Sequence, residues 1–92
     1  MTLERGNIGG YEFDRMVFLF SMTDGDKDVP CAVSTSAMDD MERVARTRPE
    51  AREAQFLRLR DPIEQYASRK FLAREFEGTP PGIILRSIDF HS

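Results

Sequence analysis

The sequence predicts a small α+β domain: a three-stranded antiparallel sheet in β-β-α-α-β order, with one short helix and one long kinked or broken helix packed on it. Three observations carry that expectation. Apolar residues alternate with period 2 over 16–22, helical spacing runs through the middle of the chain, and another strand-like run over 83–90 follows a Gly/Pro breaker.

Residues 1–10 hold Gly6, Gly9 and Gly10 and offer little to bury, so they read as a flexible or edge-associated N-terminal arm, with the domain proper spanning 11–92. After Tyr11 and Phe13, Asp14-Arg15 fits a tight turn or a bulge. The first strand is Met16 to Met22. Alternation puts Met16, Phe18, Phe20 and Met22 on one face and Val17, Leu19 and Ser21 on the other. Both faces are largely apolar, which predicts a central strand covered on two sides. Thr23 to Asp28 is turn-rich, and Val29 to Thr35 is the second strand of an antiparallel hairpin with a five- or six-residue loop. Pro30 has no N–H to give a ladder, so the start of that strand belongs at an edge or a bulge.

Ser34-Thr35-Ser36 supplies three candidate N-caps for an amphipathic helix from Ala37 to about Arg46. Acids early and arginines late suit its dipole, and Asp39–Arg43 and Glu42–Arg46 are spaced as (i, i+4) pairs. Thr47 and Glu50 fit a capping box around Pro49. The long helix that follows carries Ala51, Ala54, Phe56, Leu59, Ile63, Tyr66 and Ala67 at helical spacing, interrupted by Pro62. Glu77 to Gly82 breaks it and releases the third strand, Ile83 to Phe90.

Composition narrows the function classes. Thirteen basic and sixteen acidic residues give a net charge of −3, which brings no general attraction to nucleic acid or to an anionic membrane. The longest apolar run, Met16 to Phe20, is far short of the roughly 20 residues that span a bilayer. The lone Cys31 excludes an internal disulfide framework, and no basic-then-apolar leader opens the chain; the expected compartment is the cytoplasm. Only Lys27 and Lys70 are lysines, leaving eleven arginines, a residue suited to bidentate contacts with carboxylates and phosphates.

No catalytic constellation is visible. Asp24, Asp26 and Asp28 alternate like the start of a calcium loop, but Val29 and Thr35 stand where such a loop needs Gly and Glu. Cys31 lies mid-strand as a small hydrophobe, and the only histidine, His91, is penultimate. One Cys and one His are too few for structural zinc. Asp39-Asp40 is explained by the start of a helix, and Asp89 by an arginine partner or by solvent. The expectation is no catalytic, cofactor-binding or metal residue and no cofactor. Arg58, Arg60, Arg69, Lys70 and Arg74 scatter around the helix rather than forming a stripe, which favours ion pairs over a phosphate-binding face. Phe71, Leu72 and Phe76 exceed what one apolar stripe needs, and they are the candidate interaction surface.

Met16-Val17-Phe18, then Val29, Cys31, Val33 and Ser34, then Phe56, Ile63 and Ala67, and finally Ile83 to Phe90 together resemble bacterial domain-of-unknown-function family 1488 over about 11–90. The resemblance implies a compact α+β fold and a cytoplasmic bacterial setting, with no activity, cofactor or catalytic residue attached. It also implies a continuous central helix, from which Pro62 departs. The function expected is a non-catalytic interaction or regulatory module whose partner is an unidentified protein or a second copy of itself. The alternatives are a single-stranded nucleic-acid binder using arginines and sheet aromatics, and a small-metabolite enzyme using carboxylates alone.

Overall fold

The computed structural model describes residues 3–78 and 82–90. Strand β1 (Glu4–Glu12), β2 (Val17–Asp24) and β3 (Lys27–Ser34) form an antiparallel meander; then come α1 (Thr35–Glu42), a 3₁₀ turn (Pro49–Ala51), α2 (Arg52–Leu72), β4 (Ile83–Leu85) and a second 3₁₀ turn (Ser87–Phe90). The sheet order is β1-β2-β3-β4. It is an α+β fold, but the sheet has four strands and is mixed, not three-stranded and antiparallel. Two things account for the difference. Residues 4–12, mostly assigned to an arm by sequence, pair with β2 through register shifts on either side of Ile8. Gly6, Gly9 and Gly10 depress strand propensity, yet glycine in a strand also marks bulges. The chain returns through α1 and α2, a crossover long enough to set β4 parallel to β3.

The β2–β3 hairpin is tighter than the turn-rich sequence suggests. Asp24 pairs with Lys27, so only Gly25 and Asp26 form the loop, and Gly25 supplies the positive φ, 66°, that a two-residue loop demands. The β1–β2 link is a turn closed by the Met16 N–H on the Phe13 carbonyl (3.1 Å). Pro30 lies opposite Ser21, just before the stretch Cys31–Val33 that β4 covers. A Cβ on Gly82 would stand 2.4 Å from the Pro30 carbonyl oxygen, so the entry to β4 has room only for glycine.

Ser34 caps α1, its Oγ accepting the Ala37 N–H (3.1 Å). The helix stops at Glu42, short of the expected Arg46, because Arg43 turns left-handed (φ 56°). The Arg43 N–H then bonds the Asp40 carbonyl and the Val44 N–H that of Asp39. That is a Schellman ending with arginine where glycine is usual. Arg74 (φ 58°) ends α2 the same way, through Phe71 and Lys70 carbonyls.

Helix α2 is a single helix through Pro62, so the broken alternative is overturned. Phe56 before the proline and Ile63 and Ala67 after it are fully buried. Each large side chain buried this way contributes about 1.5–3 kcal/mol, enough to hold both halves in line against a proline cost of about 3. Phe56 stacks on Phe18 at 4.7 Å and meets Phe20 at 5.0 Å. Around it, Met22, Val33, Met38, Ile83 and Leu85 complete a core in which both helices lie on one face of the sheet.

The last run does not continue as a strand to Phe90. Asp89 accepts the Arg86 N–H (2.7 Å) and gives its own N–H to the Arg86 carbonyl (2.9 Å). This is half of a capping box, and it curls Ser87–Phe90 into a 3₁₀ turn.

Candidate functional site

Strand alternation divides the sheet sharply. Phe18, Phe20 and Met22 point to the helices, so Val17, Leu19 and Ser21 occupy the opposite face, joined by Ala32 of β3 and Ile84 of β4. No helix covers that face; Val17 and Ala32 are nonetheless buried there while Leu19 and Ser21 are only partly covered, so the expected second covering of the strand is partial. A groove of about 470 Å³ runs across it, lined by Arg15, Val17, Ala32, Ile84, Arg86 and Ile88 among others. A smaller hollow, about 190 Å³, continues it over Leu19 and Pro30 towards Glu77. Ile88 is 77% exposed. The floor is apolar and the rims carry charge of both signs. Arg15 is paired with Glu12, and Arg86 donates to Glu77 at 2.7 Å. The Arg86 hydrogen bond holds the Glu77 carboxyl below its ordinary range. In the sequence, the small and polar Ser21, Ala32 and Ser34 on this face were the signal that no helix packs there.

The sheet's free edge is guarded beside the groove. Lys70 reaches from α2 to the Ile84 carbonyl (2.9 Å) and to Asp89 (3.2 Å). Its ammonium occupies the acceptor that another strand would use. Lys70 on the apolar side of its helix is thus a largely buried cation held by these two acceptors, and Asp89 is paired with lysine rather than arginine.

A second concentration of polar groups joins α1 to α2. Asp39 accepts from Arg52 (2.7 Å), Thr47 (2.8 Å) and Gln55 (3.0 Å). Glu42 accepts from Arg58 (2.8 Å). The expected (i, i+4) pairs within α1 are thus replaced by pairs between helices, because the left-handed Arg43 ends the helix first. The capping box is absent too: Thr47 donates to Asp39, and Arg48 precedes the Pro49 turn without a side-chain cap. Burial alone would push the Asp39 carboxyl up, but Arg52, Gln55 and Thr47 together outweigh it and hold the group below its ordinary value. Arg52 is 4% exposed and its Nε has no hydrogen-bond partner.

Of the residues singled out by sequence, Phe71 is half-buried against the core, with its ring 5.6 Å from that of Phe76. Leu72 and Phe76 are 56% and 41% exposed. They form a small apolar spot at the end of α2. Four of the five clustered cations are tied up: Arg58 with Glu42, Arg60 with Glu64, Lys70 with Asp89, and Arg69 over the Tyr66 ring at 5.0 Å; Arg74 lies exposed just past the end of α2. Cys31 is buried and desolvation pushes its thiol up to about 12. Asp24, Asp26 and Asp28 lie around the hairpin turn, and no group of carboxylate, His or Cys side chains among the described residues is placed to hold a metal ion. His91 lies outside the described residues. No helix among the described residues is long and apolar enough to cross a membrane.

The family model for a protein of unknown function, DUF1488, matches residues 9–84. No curated protein matches the chain. The fold is similar to the crystal structure of a protein of unknown function from the same family of Shewanella loihica PV-4. That likeness has a TM-score of 0.74 at 12% identity and covers 90% of this chain and 94% of the other. At that identity it is a likeness of fold.

Proposed function

The chain belongs to DUF1488, a family of proteins of unknown function, and we propose that it is a non-catalytic interaction module that self-associates through the bare face of its sheet. One observation carries the reading: an apolar groove on the face opposite the helices, bordered by ion pairs of both signs. A two-fold axis through such a face sets like surface on like. Apolar floor meets apolar floor, and Glu12–Arg15 and Glu77–Arg86 offer each sign to its opposite across the axis. Sheets stack face to face at about 10 Å, a spacing that Leu19, Ile84 and Ile88 are long enough to fill. Cys31, buried and protonated, is not an activated nucleophile.

Sedimentation equilibrium of the wild type beside Leu19→Glu and Ile88→Glu tests this. Both positions are partly or largely exposed, and an unchanged melting temperature checks that the variants fold. The wild type should sediment as a dimer and both variants as monomers. A wild type that stays monomeric at high concentration, or variants that dimerise unchanged, contradicts the reading. Leu72→Glu with Phe76→Ser is the companion experiment: loss of the dimer there alone moves the contact to the end of α2.

A further inference from the structure

The bare sheet face uses two arginines already paired with carboxylates. A different region holds arginines that are not. The segment between α1 and α2 presents Arg46 and Arg48, both exposed and neither with a side-chain partner among the described residues. They border two adjoining cavities. One, about 260 Å³, is lined by Tyr11, Phe13, Met16, Ser36, Arg46 and Arg52 among others. The other, about 460 Å³, lies over Arg46, Thr47, Arg48 and Pro49, three of which it shares with the first.

The two compartments differ in character. The first has an apolar wall built on the β1–β2 turn. Phe13 is 68% exposed, its ring edge-on to Tyr11 at 6.2 Å. Met16 is held there by its left-handed backbone, with its carbonyl accepting the Thr35 N–H (3.0 Å). A phenylalanine left this open beside a cavity is a stacking surface without an occupant. Arg52 stands in the wall of the same cavity, buried, with its Nη atoms spent on Asp39 and Gln55 and its Nε unpaired. The second compartment is walled by Arg46, Thr47 and Arg48, with Pro49 as its apolar side. Across both, three arginines face one carboxylate, Asp39, which already accepts from three donors.

We propose that this pair of cavities is a binding site for a nucleoside monophosphate. The base lies against Phe13, and the phosphate takes Arg46 and Arg48, whose planar forks match phosphate oxygens. Arg52 behind them is neutralised by Asp39, so the phosphate is held by Arg46 and Arg48. Exposed guanidinium groups supply strength only when the rest of the ligand is anchored, and the aromatic wall gives that anchor. The base and the phosphate are both needed, because each contact alone is weak.

The test is a titration of the ¹⁵N-labelled protein with AMP, GMP, CMP and UMP, and with inorganic phosphate, followed by amide shifts. At least one nucleotide should move amides in 11–16 and 43–52 at millimolar concentration, and more tightly than phosphate does. Phe13→Ala should weaken binding by about tenfold, the scale of one lost base–aromatic stack. Arg46→Gln with Arg48→Gln should weaken it by at least about tenfold, the scale of lost charge-assisted hydrogen bonds. Both changes are at exposed side chains, and an unchanged melting temperature confirms that the fold is intact. Four silent nucleotides overturn the proposal. So do nucleotide binding that the arginine pair does not affect, phosphate binding as tightly as nucleotide, and shifts that appear only with a single-stranded oligonucleotide.

Discussion

Asp39 and Arg52 form an ion pair at 2.7 Å, almost wholly shielded from solvent, with side-chain exposures of 13% and 5%. It fastens α1 to the start of α2, and Gln55 and Thr47 share the same carboxylate. Removing one member strands the other. Asp39→Ala should destabilise the protein by about 3 kcal/mol, the scale for breaking a buried pair from one side. Urea unfolding reads this directly, and a loss below about 1 kcal/mol would show that Arg52 finds water instead.

The same carboxylate sets an acid limit. Its pKa is lower folded than unfolded, so its contribution is fully present above the unfolded value, about 3.9, and disappears as pH falls through the folded one. Stability should begin to drop below about pH 5, and Asp39→Asn should flatten part of that slope. Parallel slopes for wild type and variant between pH 5 and 2 would assign the acid transition to other carboxylates, on the same linkage argument.

Phe56 fills the space between Phe18 and Phe20 and is fully buried. Phe56→Ala should cost about 3–5 kcal/mol by leaving a cavity beneath the sheet. Loss of near-ultraviolet dichroism at ambient temperature, with the far-ultraviolet signal retained, would place the outcome at the larger end.

Arg43 and Arg74 hold left-handed backbone at the two helix ends, where an L side chain costs roughly 1 kcal/mol. Arg43→Gly and Arg74→Gly should each raise the melting temperature, because strain relief exceeds the extra freedom glycine brings to the unfolded chain. A lowered melting temperature for both would mean that the arginine side chains contribute contacts larger than the strain.

Cys31 should fail to react with a disulfide reagent at pH 8 in the folded state and react at once in denaturant. Burial and a raised pKa both withhold the thiolate. Rapid native-state labelling would show that β3 opens locally.

Much of the fold was legible because local and global signals agreed. The alternation of Phe18, Phe20 and Met22, the Ser34 cap and the apolar spacing of Phe56, Ile63 and Ala67 all survive in the structure, while Met16, expected on the same strand face, lies in the preceding turn with a left-handed backbone. What was missed has physical causes. Strand β1 hides behind glycines that mark bulges rather than a loose arm. Two arginines take backbone angles that residue type does not advertise. Arg52, Gln55 and Glu64 are buried because partners on other elements, Asp39 and Arg5, meet them, and residue type alone does not reveal such pairs. The apolar surplus at Phe71, Leu72 and Phe76 was visible, but the groove over Val17, Ala32 and Ile84 was not. Its residues read as core when both faces of β2 were taken to be covered.

The most direct measurement is an isotope-filtered nuclear Overhauser experiment on mixed copies, half labelled with ¹³C at Leu and Ile methyls and half unlabelled. Self-association through the bare face predicts intermolecular contacts at the methyls of Leu19, Ile84 and Ile88, and none at Leu72. Intermolecular contacts confined to Leu72, or none at concentrations where the protein sediments as a dimer, would contradict it.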